Sequence, residues 1–81
     1  MTCFALPNEL ETPRLGIAAS QKIGNAVIRN RAKRLVRELF KSHKPLIGID
    51  IVVIPRREML DASWRNLEAD YVAALHRVAK P

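Results

Sequence analysis

The sequence predicts an α+β fold, a small two-layer sandwich in which a short mixed sheet carries two helices. Three observations predict it. Ile28, Ala32, Leu35, Val36, Leu39 and Phe40 recur at i, i+3, i+4 and i+7 spacing, the core-facing stripe of an amphipathic helix. Ile49 to Ile54 is a β-branched run interrupted only by Asp50 and bounded by Gly48 and Pro55, which reads as a strand buried on both faces. Trp64, Leu67, Tyr71, Leu75 and Val78 share one face of a second helix. With 81 residues, 48% of them hydrophobic, the chain suits one domain over residues 1–81. A domain of that size buries only about 60–65% of its unfolded surface.

Taken in order, Cys3 to Leu6 forms a short strand ended by Pro7, and Asn8 to Pro13 is a polar turn. Arg14 to Ser20 resumes as a strand with Leu15, Ile17 and Ala19 on one face, so these two strands predict an antiparallel hairpin with a longish loop. Gln21 to Gly24 is a tight connection into the basic helix, which Asn25 caps and which runs to about Ser42, where His43, Lys44 and Pro45 stop it. Ile49–Ile54 should then pair in parallel with Arg14–Ser20, making a β-α-β unit. After the basic turn Pro55-Arg56-Arg57, Asp61 or Ser63 caps a last helix that continues to about Lys80. Trp64, Tyr71 and Phe40 read as core anchors rather than base-stacking platforms, whereas Phe4 lies near a sheet edge.

Charge is the strongest functional signal. Between Arg14 and Arg57 stand eleven basic residues against two acids, Glu38 and Asp50, while the rest of the chain holds three basic residues against six acids. The net charge of +6 is therefore one basic patch on a mildly acidic remainder, the electrostatic footprint of a nucleic-acid binder. Arg29, Lys33 and Arg37 follow one another at i+4 with no acid between them, an arrangement that a polyanion would relieve. On charge pattern alone, a merely solvated basic face remains open. A membrane surface fits less well, because the helix commits its large apolar residues to a core.

Other classes find little support. Gly16, Gly24 and Gly48 are isolated, so there is no phosphate-cradling loop, and His43 and His76 lack a nucleophile or carboxylate at a telling spacing. Glu38 reads as an ion-pair partner among arginines. Cys3 is the only cysteine, so no intrachain disulfide is possible and no thiol-rich metal site suggests itself; a reducing cytoplasm fits. The longest apolar run, Ile47 to Ile54, is too short to span a bilayer, and the amino terminus lacks the pattern of a signal peptide.

The segment Lys22-Ile23-Gly24-Asn25-Ala26-Val27-Ile28-Arg29-Asn30-Arg31-Ala32-Lys33-Arg34-Leu35-Val36-Arg37-Glu38 resembles the signature of the protein subunit of bacterial ribonuclease P. Arg14-Leu15-Gly16-Ile17 before it, Asp50-Ile51-Val52-Val53-Ile54-Pro55-Arg56 after it and a terminal amphipathic helix repeat the order of elements, so the resemblance runs from about Phe4 to Ala79. Two positions depart from the pattern: Gln21 stands where a basic residue is common, and Ala32 where a larger aliphatic is usual. The family's chains also begin with a helix and a strand that this sequence does not show, which predicts an RNA-binding domain truncated at its amino terminus or a start assigned at an internal position.

The resemblance implies a left-handed crossover for the β-α-β unit. It also implies an accessory role in tRNA 5′-end maturation: a catalytic RNA with its own magnesium ions removes the 5′ leader of precursor tRNA, while the protein binds that RNA and holds the leader in a cleft beside the sheet. No cofactor and no catalytic residue is expected in this chain. The expected RNA contacts are Lys22, Arg29, Asn30, Arg31, Lys33, Arg34 and Arg37. Arginine suits the task because its planar fork grips phosphate with two bonds. Leader contact is the weaker expectation, since part of the cleft belongs to the missing elements. These would also leave Cys3–Leu6 at a sheet edge and expose apolar surface on the face carrying Leu15 and Ile17 or their neighbours. The alternatives are a general structural-RNA or DNA-binding module, or an inactive truncated fragment.

Overall fold

The computed structural model describes residues 1–45 and 48–78. Five principal elements follow in order: β1 (Thr2–Pro7), β2 (Arg14–Ile17), α1 (Ala26–Ser42), β3 (Ile49–Ile54) and α2 (Trp64–Val78). Short 3₁₀ turns at Gln21–Ile23 and Arg57–Asp61 lead into and out of the central unit. The expected extension of α2 to Lys80, and the Ile47 end of the long apolar run, lie outside the described residues.

The sheet is mixed, with β3 in the middle. β2 pairs with it in parallel, Leu15 opposite Ile51 and Ile17 opposite Val53, which completes the β-α-β unit across α1. β1 pairs with β3 as well, antiparallel, with Phe4 opposite Val52 and Leu6 opposite Asp50. The expected hairpin between the first two strands is therefore absent. Its physical reason lies in the central strand: placing the β-branched Ile51, Val52 and Val53 between two partners gives that segment a hydrogen-bonded ladder on both edges. The loop between β1 and β2 is shaped for this crossing by one side chain. Asn8 Oδ1 accepts from the Leu10 amide at 2.8 Å, and Asn8 Nδ2 donates to the Thr12 carbonyl at 3.1 Å and to Asp50 Oδ1 at 2.9 Å. The Asn8 amide donates to the Gly48 carbonyl at 3.2 Å, tying the loop to the start of β3.

β2 ends earlier than expected. The Ala18 amide still reaches the Val53 carbonyl at 3.0 Å, and the Ser20 carbonyl then accepts from Ile23 as the 3₁₀ turn begins.

Both helices cover the same face of the sheet. Val36 and Leu39 of α1 and Leu67, Tyr71 and Ala74 of α2 form one core with Cys3, Ile51, Val53 and Met59. Only alternate residues of β3 reach that core, so β3 is not buried on both faces: Val52 and Ile54 are each 38% exposed on the other side. Phe4 and Leu6 join them there, Leu6 at 70% exposure. Leu15 and Ile17 pack against the core, so the open apolar face is the one opposite to that expected.

In α2 the sequence reading misplaces Trp64, which is 39% exposed rather than a core anchor. The buried stripe centres on Leu67, Tyr71 and Ala74. At roughly 100° per residue Trp64 sits on the border of that stripe, in the first turn where the helix overhangs the core. Tyr71, wholly buried, is the core anchor the sequence predicts. The cap is Ser63 rather than Asp61: its Oγ accepts from the Asn66 amide at 3.2 Å.

Candidate nucleic-acid interface

α1 carries the site, and its start is set locally. Ile23 is buried and pins the 3₁₀ turn that presents Lys22 to solvent. Asn25 adopts extended backbone angles, and its Oδ1 accepts from the Ile28 amide at 3.0 Å, an Asn cap on the first turn. Ala32, Val36 and Leu39 then bury completely, which fixes the rotation of the helix. With that stripe inward, a turn of about 100° per residue aims Asn30, Arg34, Arg37 and Lys41 directly outward, and all four are exposed.

The remaining predicted residues lie on the shoulders. Arg29 and Lys33 are half-buried, because they flank Val36 and Phe40 on the wheel. Such long side chains lay their stems along the core edge and carry the charge outward. Arg31 is exposed on the other shoulder, beside Leu35. The seven predicted residues thus surround the outer half of α1 and the turn before it, rather than forming one line. Sequence reasoning overlooked Val27, which is 76% exposed between Arg31 and Arg34 on the wheel; its position off the apolar stripe was the available signal.

Among the described residues the ion pairs are Met1 amine–Asp70, Arg14–Asp50 and His43–Glu68, so no residue of the basic face is held in an ion pair. Glu38 does not act as the expected ion-pair partner. It follows Arg34 by four positions, the less favourable order on a helix, and both side chains stand in water. Arg14, by contrast, is withdrawn from the patch. It grips Asp50 with two bonds of 2.7 Å on the open face of the sheet. The Arg14 guanidinium, helped by the Asn8 amide group, holds the Asp50 carboxyl down at about 2. His43, which the sequence left without a partner, bonds Glu68 at 2.9 Å and braces the end of α1 against α2.

The second feature is the open sheet face, an apolar strip of Phe4, Leu6, Val52 and Ile54 flanked by the Arg14–Asp50 pair. β1 forms one edge of the sheet, as expected. Among the described residues no helix is long and apolar enough to cross a membrane.

A three-stranded mixed sheet backed by two helices, one of them presenting an exposed basic face, defines a small α+β protein. The sequence profile of the family described as Ribonuclease P matches residues 1–79. The ribonuclease P protein component of Staphylococcus epidermidis is 44% identical over 73 residues, 89% of this chain and 63% of that protein. That of Staphylococcus aureus is 50% identical over 61 residues, 74% of this chain and 53% of that protein. Among solved structures, the Staphylococcus aureus RNase P protein superposes with a TM-score of 0.77 at 39% identity, covering 96% of this chain and 72% of that one. The Thermotoga maritima RNase P protein gives 0.80 at 34% identity, covering 93% and 74%. The chain belongs to the ribonuclease P protein family. It spans between about half and just under two thirds of the length of the curated relatives it matches.

Proposed function

We propose that this chain binds the catalytic RNA of ribonuclease P through α1 and so assists removal of the 5′ leader from precursor tRNA. The observation that carries the reading is the surface of α1, where Arg29, Asn30, Arg31, Lys33, Arg34 and Arg37, with Lys22 at the preceding turn, make no ion pair among the described residues. Repulsion among these cations lowers when RNA phosphates enter between them, and arginine forks add paired hydrogen bonds. The chemistry belongs to the RNA and its magnesium ions; the protein supplies charge neutralisation and position. The open strip of Phe4, Leu6, Val52 and Ile54 is the surface on which the single-stranded leader would lie, with unstacked bases against exposed apolar side chains.

The test is the salt dependence of affinity for the catalytic RNA. Contact with about five phosphates predicts that log affinity falls against log salt with a slope of roughly −3 to −5. A slope near zero, or an equal preference for duplex DNA in competition, would overturn the reading.

A further inference from the structure

Away from α1, a cavity of about 490 Å³ opens between the start of β1, Arg56 just beyond β3 and the stretch of α2 from Asp70 onward. Its walls include Thr2, Cys3, Arg56, Asp70, Ala74 and Arg77, and none of its lining comes from α1. We propose that this cavity is a phosphate-binding pocket in which Arg56 and Arg77 hold one phosphate group between them.

The charge balance of the walls carries the inference. Arg56 and Arg77 are 21 positions apart in sequence, yet the fold brings both to one hollow. Neither makes an ion pair among the described residues. Asp70 is the single acid in the wall, and the Met1 amine already engages its Oδ2 at 3.0 Å. Even with Asp70 counted in full, the two guanidiniums outnumber it. The Cys3 thiol does not supply a further negative charge, because burial pushes its titration upward and keeps it neutral. Two cations facing a shared hollow repel each other until an anion enters.

Guanidinium chemistry selects phosphate. Each planar fork can give two parallel N–H bonds to neighbouring oxygens, and a tetrahedral anion offers enough oxygens for both forks. Arg77 sits in the last turn of α2, where the helix dipole is negative and works against an anion. Both guanidiniums are therefore needed, and losing either should remove most of the binding. The phosphate can come from two sources, a free or terminal phosphate and the phosphodiester backbone of an RNA.

The test follows amide shifts of the ¹⁵N-labelled chain during titration with inorganic phosphate, with chloride replaced to hold ionic strength constant. Saturable shifts are expected at Thr2, Cys3, Ala74 and Arg77, resolved from any response along α1. Arg56→Gln with Arg77→Gln should raise the apparent Kd by about tenfold or more, as loss of two paired charge-assisted contacts implies. Arg34→Gln should leave the response at these four amides unchanged. A second titration uses a ribodinucleotide with one internal phosphodiester. Saturation at the same amides assigns the site to RNA backbone, and saturation by inorganic phosphate alone assigns it to free or terminal phosphate. Shifts that fail to saturate, or that chloride reproduces, overturn the proposal, and so does an unchanged Kd in the double variant. The wild-type titration decides alone if that variant does not fold.

Discussion

Gly48→Ala is the sharpest perturbation of the fold that leaves every charged residue in place. A Cβ at Gly48 would overlap the Leu10 carbonyl oxygen and come within 2.6 Å of Asn8 Oδ1. Backbone cannot yield as a flexible side-chain tip would, so the loop from Asn8 to Pro13 must move off the start of β3. That movement puts four hydrogen bonds at risk: Asn8 N to Gly48 O, Leu10 N to Asn8 Oδ1, and Asn8 Nδ2 to both Thr12 O and Asp50 Oδ1. At about 0.5–1.5 kcal/mol net each, and with water recovering some of the exposed ones, the loss is about 2–4 kcal/mol. A chain of 81 residues has on the order of 4–12 kcal/mol in total. The melting temperature should therefore fall by about 10–25 °C. Gly16→Ala is the internal control, because its Cβ would meet only Val52 Cγ2, at an ordinary 3.7 Å. Thermal and urea melts of the two variants decide the matter. If Gly48→Ala melts with wild type, the Asn8-centred crossing is not what holds β1 beside β3, and the reason given for the missing hairpin is wrong.

Three further outcomes are expected. Arg34→Ala and Arg37→Ala should each weaken RNA affinity by on the order of 1 kcal/mol with an unchanged melting temperature, while Arg29→Ala should lower both affinity and stability, since Arg29 is half-buried; filter binding and melts on one set of variants separate the cases. Trp64→Ala should cost about 1–2 kcal/mol in urea melts, less than the 2–5 or so expected for Leu39→Ala in the closed core, and the reverse order would place Trp64 in the core after all. Tyr71→Phe should be neutral or stabilising by up to about 1 kcal/mol, because the buried hydroxyl makes no hydrogen bond among the described residues. Burial pushes Tyr71 up to about 12 from its ordinary value of 10.0, so the unfolded chain loses its phenolic proton first. Wild-type stability should accordingly be full below pH 10 and decline as pH rises toward 12, whereas the decline in the Phe variant should be smaller.

What the sequence disclosed was mostly local. The bounds of α1, the cap at Asn25 and the inward set Ala32, Val36 and Leu39 depend on spacing within one helix, and spacing is written in the chain. Strand partnership is different. Cys3–Leu6 and Arg14–Ile17 are short, similar and separated by a turn of plausible length, so nothing local tells a hairpin from two strands that flank a third. The decision is made by β3, which lies more than thirty residues away and draws both to its edges. Burial on one face only has the same origin, since periodicity cannot count how many helices cover a sheet. Trp64 erred for a finer reason. Membership of an apolar stripe gives an angle, but the end of a helix also needs a neighbour beneath it, and the core stops at Leu67.

The charged residues divide along the same line, and that division separates the two surfaces. Composition assigns Arg14 and Asp50 to one basic stretch, yet the parallel register sets them face to face across the sheet, where they neutralise each other beside Phe4 and Leu6. The open face is thereby left apolar, with its nearest charges paired. The basic face keeps its charge because Asn30, Arg34 and Arg37 point outward from a helix whose other side is fully committed to the core. The two surfaces share no side chain, so changes on α1 should alter affinity for structured RNA without touching the sheet face. Changes at Phe4 or Leu6 should leave that affinity intact and act only on what lies across the strands. That independence comes from one structural fact: the sheet is covered on a single side, by two helices of which one carries the charge on its outer face.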